Sequence, residues 1–184
     1  MPETDLRWFA LKVFYNKVFD IESRLKERNI ESYIPMTTIM VERNGVKKKV
    51  TRPLISSLMF FRTTPDEAIA LQPLLEGKAM IYSRRTEWRR EPVAIPEHEM
   101  NVFMLVTSSG ETGVDYIGED SPRYHKGDLV RVIDGPFKGS EGHIIRIKDD
   151  HRLVVTIQGL CAVATSYIPR CFLQKVENQN LEQS

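Results

Sequence analysis

At 184 residues and 21.3 kDa the chain has room for one domain or two small ones. Its 41% hydrophobic and 28% charged residues exclude a disordered chain, a collagen-like repeat and a disulfide scaffold. Lys and Arg total 26 against 25 Asp and Glu, a net charge of +1, so any contact with a polyanion must come from local patches.

No run approaches the roughly 18 apolar residues of a membrane span, and Met-Pro-Glu-Thr-Asp lacks the basic region and apolar stretch of a signal peptide. These features predict a cytoplasmic protein without membrane contact. Cys161, Cys171 and the scattered His98, His125, His143 and His151 show no ligand spacing, which predicts no metal site, no cofactor and reduced thiols.

Arg7 to Phe14 is β-prone and reads as an opening strand. A helix capped by Asn16 follows, with Val18, Ile21 and Leu25 on one face and the i,i+4 pairs Asp20–Arg24 and Glu22–Lys26 on the other; Tyr33-Ile34-Pro35 ends it. Thr38 to Arg43 and Lys47 to Arg52 flank Asn44-Gly45, a strong hairpin signal. Leu54 to Arg62 is an apolar strand. Pro65-Asp66-Glu67 opens a second helix through Leu75, with Gly77 suited to its end, Ala79 to Ser83 is a strand, and Pro96-Glu97 starts a third helix to Thr107. This order describes an α+β domain with helices on a mainly antiparallel sheet.

From Ser108 to Tyr124 the chain is rich in Gly, Ser and acids without an apolar period, and reads as a flexible linker. Beyond it, 127–133, 142–147, 153–157, 162–167 and 172–176 are short strands between Gly, Pro and Asp turns, as in a small all-β, SH3-like barrel. The domains expected are 1–107, a linker at 108–124, a barrel at 125–176 and a polar tail at 177–184.

Lys126 to Ile147, KGDLVRVIDGPFKGSEGHIIRI, resembles the KOW motif. Gly135, Gly139 and Gly142 relieve Cβ clashes where the chain turns tightly, and Phe137 plugs the barrel's end. A phosphate loop is excluded, because Gly-Pro-Phe-Lys-Gly-Ser lacks Gly-Lys-Ser/Thr at the required offset. Upstream, Trp8-Phe9, Tyr33-Ile34-Pro35, Pro53-Leu54 and Met59-Phe60-Phe61 resemble, in order, the landmarks of the NusG N-terminal (NGN) domain. Ser56-Ser57 stands where the family usually has Pro-Gly, and the chain is more similar to specialised paralogues of the RfaH and UpxY kind than to the housekeeping factor.

The resemblance implies a transcription elongation or antitermination factor whose N-terminal domain docks on the clamp helices of the RNA polymerase largest subunit. Phe9, Ile55, Leu58 and Phe60 match the docking patch; a wholly buried strand is the competing reading of these residues. It also implies that the KOW domain contacts Rho or a small-subunit ribosomal protein. Two basic clusters, Lys47, Lys48 and Lys49 with Arg43 and Arg52, and Arg84, Arg85, Arg89 and Arg90 around Trp88, are candidates for contact with nucleic acid, including non-template DNA; solvated loops are the bland alternative. No convergent catalytic constellation occurs, so the alternative function is a ribosome-associated or other RNA-binding KOW protein rather than an enzyme. Dense β-branched residues in Arg152 to Ile157 and Ala162 to Ile168, with Gly159 and Pro169, oppose a helical hairpin and predict a permanent β barrel moving freely on its linker.

Overall fold

The computed structural model describes residues 5–75, 77–111, 113–116, 127–147, 150–157 and 160–176. They divide into two compact units, one from residues up to 36 with 51–100, the other from 37–50 with the residues from 101 on.

In the first unit, strand β1 (Arg7–Val13) leads to helix α1 (Val18–Glu27). Asn16 does not cap α1 as expected; Lys17 is the capping residue, without a side-chain bond, because Tyr15 and Asn16 both take left-handed backbone, at φ 58° and 55°. The expected apolar stripe of α1 is buried at Val18, Ile21 and Leu25. Of its two expected ion pairs, Glu22–Lys26 forms at 3.1 Å, whereas Asp20 pairs instead with Lys17 at 3.3 Å. The segment read as the end of α1 contains a further strand, β2 (Glu31–Tyr33).

Strands β3 (Met36–Arg43) and β4 (Val46–Pro53) form a two-stranded ribbon around Asn44-Gly45, whose φ values of 54° and 75° are those of a type I′ turn. Strand β5 (Leu58–Thr63) begins four residues later than expected, since Leu54 to Ser57 make a turn in which the Leu58 amide donates to the Ile55 carbonyl. Helix α2 (Pro65–Leu71) is capped by Thr64, whose hydroxyl accepts from the Glu67 amide at 3.3 Å, and a 3₁₀ turn at Gln72–Leu75 extends it to the expected end. Strand β6 (Ala79–Ile81) follows, then a small hairpin of β7 (Ser83–Arg85) and β8 (Arg90–Pro92), in a region read as a loop.

The main sheet runs β2-β5-β1-β6, with Phe9 opposite Phe61, Ala10 opposite Phe60 and Lys12 opposite Leu58. Side chains alternate along a strand, so Phe9, Leu11, Met59 and Phe61 share one face with the α1 and α2 core. Leu58 and Phe60 lie on the other. Helix α3 (Glu97–Thr107) buries Met100, Phe103 and Val106, a helical repeat along one side.

The second unit holds a six-stranded antiparallel sheet ordered β14-β10-β11-β12-β13-β9. Its strands are β9 (Asp115–Tyr116), β10 (Leu129–Val132), β11 (Glu141–Ile147), β12 (Asp150–Ile157), β13 (Cys161–Ala164) and β14 (Leu173–Lys175). Pairing of β10 with β14 sets the first and last strands of the KOW motif region side by side, and β12 pairs with β13 from Val154–Ala164 to Ile157–Cys161, as the β-branched runs there predict. Strand β9 corrects the reading of 108–124 as a plain spacer over its described part. Asp115 and Tyr116 pair with Ala164 and Val163, Val114 is buried, and Arg152 Nη1 donates to Asp115 at 2.8 Å. Residues 117–124 and the tail 177–184 lie outside the described residues.

The KOW turn explains its glycines. Gly135 and Gly139 sit at φ 82° and 91°, and Phe137 is 2% exposed, consistent with a plug. Gly142 has no such backbone, but a Cβ there would sit on the carbonyl oxygen of Val154 in the paired strand. Gly142→Ala is therefore expected to cost about 1–3 kcal/mol through overpacking, seen as a lower denaturant midpoint for the second unit with the first unchanged.

Candidate functional site

The four residues expected to make an apolar docking strip do not share a surface. Phe9 is 1% exposed and belongs to the α1 and α2 core, its ring 5.6 Å from that of Phe61. Leu58 and Phe60 are buried at 3% and 0% on the opposite sheet face. Strand parity thus separates Phe9 from Leu58 and Phe60, which reading LMFF as a row of anchors missed. Ile55 alone is partly exposed, because it stands in the turn before β5 rather than within the strand.

Beside that turn is a groove of about 460 Å³ lined by Phe19, Arg52, Pro53, Leu54 and Ser56, among others. Phe19 is 50% exposed and Tyr15, on the strained backbone before α1, is 83% exposed. Neither was singled out from sequence, although Phe19 falls off the Val18, Ile21 and Leu25 stripe and helical periodicity alone places it toward solvent.

In the β3–β4 ribbon, Lys47, Lys48, Lys49, Arg43 and Arg52 are all exposed, and none has a side-chain partner among the described residues. Glu42 is the one acid between Met36 and Pro53. Alternation along β4 sends Lys47 and Lys49 to one face and Lys48 to the other, so the ribbon is cationic on both sides. Exposed Val41, Val46 and Val50 lie among these charges.

The second basic cluster is not one patch. In the β7–β8 hairpin Arg84 is the Cα partner of Glu91 and Arg85 that of Arg90, so the two pairs point to opposite faces. Arg84 and Arg89 reach Glu91 at 3.9 and 3.0 Å, which neutralises that side in part. Arg85 and Arg90 have no side-chain partner among the described residues. Trp88, at the tip, is 90% exposed.

Among the described residues from 127 to 176, Ile133 and Tyr167 are the exposed large apolar side chains, at 44% and 54%. The two cysteines are unbridged, Cys161 buried and Cys171 exposed. Among the described residues no cluster of metal-ligating side chains occurs and no helix is long and apolar enough to cross a membrane.

Comparison with known proteins follows this architecture. A family model described as "Transcription termination factor nusG" matches residues 6–104, more than half of the chain, and the KOW motif model matches residues 126–158. Two relatives named "Transcription termination/antitermination protein NusG", from Streptococcus pyogenes serotypes M3 and M1, are each 25% identical over 175 residues, covering 87% of this chain and 92% of the relative. The solved structure "Domain interaction in Thermotoga maritima NusG" is similar in fold, with a TM-score of 0.50 and 17% identity over 94% of this chain and 98% of that one.

Proposed function

The chain belongs to the NusG family of transcription termination and antitermination factors, which bind RNA polymerase and are not enzymes, and on that premise we propose that residues 1–107 dock on the polymerase clamp and residues 125–176 recruit a second partner. The observation that carries the docking surface is the partly exposed Ile55 turn beside the Phe19 groove. A clamp helix needs aliphatic and aromatic anchors; Phe19 and Leu54 supply them in the groove, and Ile55 stands in the adjoining turn. Leu58, whose amide donates to the Ile55 carbonyl, ties the end of the turn to β5, while Phe60 and Phe9 are core residues on opposite faces of the sheet.

Ile55→Asp tests the docking surface at a residue outside the buried core. Loss of a central anchor costs about 2 kcal/mol, so polymerase affinity should fall about thirtyfold with an unchanged melting curve. Wild-type affinity in the folded variant would remove the Ile55 turn from the docking surface.

The KOW domain takes Rho or a small-subunit ribosomal protein in this reading, with exposed Ile133 and Tyr167 as its apolar contacts. Copurification of the full chain and of Ile133→Asp with each candidate distinguishes them. Ser56-Ser57, in the turn that carries Ile55, supports assignment to the specialised paralogues, and a cytoplasmic site of action follows from work on the transcribing enzyme. Polymerase occupancy limited to a subset of genes is the result expected of such a paralogue. Residence on ribosomes without polymerase would favour an RNA-binding KOW protein instead.

A further inference from the structure

A second groove lies on the first unit, beside β6, the edge strand of its main sheet. It measures about 470 Å³ and is lined by Ile69 and Pro73 of the α2 segment, Met80 and Ile81 of β6, and Arg90 and Pro92 of β8. Ile69 and Met80 are 43% and 40% exposed, so the lining is aliphatic surface open to solvent. No aromatic ring takes part, which makes the groove a poor platform for stacked bases.

Two features specify the occupant. Arg90 enters the groove without a partner among the described residues, and Arg85, its Cα partner, continues the same hairpin face. The only acid on this hairpin's strands, Glu91, points to the other side and is engaged by Arg84 and Arg89. The groove therefore offers apolar area beside uncompensated guanidinium charge, the complement of a segment carrying aliphatic side chains and carboxylates.

Gln72 decides how that segment binds. Strand β6 is at the sheet's edge, where a partner strand would ordinarily pair. Three of its outward backbone groups are already used: the Ile81 amide donates to Gln72 Oε1 at 2.9 Å, Gln72 Nε2 donates to the Ala79 carbonyl at 3.4 Å, and Ser83 Oγ donates to the Ile81 carbonyl at 3.0 Å. Strand addition is blocked, and what remains is side-chain insertion by a helix.

We propose that the Ile69, Met80 and Arg90 groove is a docking site for an acidic amphipathic helix of a protein partner, separate from the Ile55 surface. The test is selection of helix-forming peptides from a phage-displayed library on the full chain, followed by amide chemical-shift mapping and titration of a selected peptide. Expected are sequences with aliphatic residues at i, i+3 or i+4 and flanking Asp or Glu, and shifts confined to the α2 segment, β6 and the β7–β8 hairpin. Exposed Arg90→Glu, with the rest of the amide spectrum preserved, should weaken binding about tenfold or more, and Ile55→Asp should leave it unchanged. The proposal is overturned if nothing is enriched, if the selected peptides lack acids or alternate in strand fashion, if Arg90→Glu binds equally well, or if an oligothymidine single strand displaces the peptide.

Discussion

Phe60→Ala is expected to destabilise the first unit by about 3–5 kcal/mol, the cost of removing a buried aromatic and leaving a cavity. Phe60 has no exposed surface, lies opposite Ala10 in the middle of the main sheet, and has its ring centroid 6.5 Å from that of Tyr33. Against a domain stability of about 5–15 kcal/mol, such a loss should lower the melting temperature by more than about 10 °C. Phe19→Ala, at a half-exposed position, should shift it little. Thermal melts of both variants beside polymerase binding separate a core aromatic from an anchor. A Phe60→Ala protein that melts like wild type yet loses polymerase would make Phe60 a contact residue after all.

Replacing Arg43, Lys47, Lys48, Lys49 and Arg52 together by Gln should abolish most binding to duplex DNA while leaving the fold intact. Their exposure and lack of side-chain partners among the described residues mean that no ion pair is lost with them. Each phosphate neutralised contributes about −0.9 to the slope of log K against log salt, so the five cations, which lie on two faces, set an upper limit of about −4.5. The substituted ribbon should flatten that slope toward zero. Anisotropy of a labelled duplex across a salt series measures it; an unchanged slope would show that the ribbon's charge is only hydrated surface. The same series run on Arg84→Gln and Arg89→Gln should show a smaller change, since Glu91 already offsets that face of the second hairpin.

Local chemistry made much of the chain legible in one dimension. The Asn44-Gly45 turn, the Val18, Ile21 and Leu25 stripe, the start of α2 at Pro65 and the β-branched runs around β12 and β13 each depend on neighbouring residues, and each formed where the pattern placed it. The KOW glycines were likewise readable from spacing, although the oxygen of Val154 that demands Gly142 belongs to another strand. Short elements escaped: β2, β7, β8 and β9 have two or three residues each, too few for a period, and exist because a partner strand supplies their hydrogen bonds. Which apolar residues face solvent was also a matter for the tertiary structure. LISSLMFF is continuous in sequence, but the turn at Leu54 to Ser57 and the register of β5 against β1 bury Leu58 and Phe60, send Phe9 to the opposite face and leave Ile55 at the surface. Residue type and spacing therefore determined the family, the two-part architecture and the inventory of charges. Strand pairing decided which of those side chains are surface, because alternation assigns faces only once start and register are set.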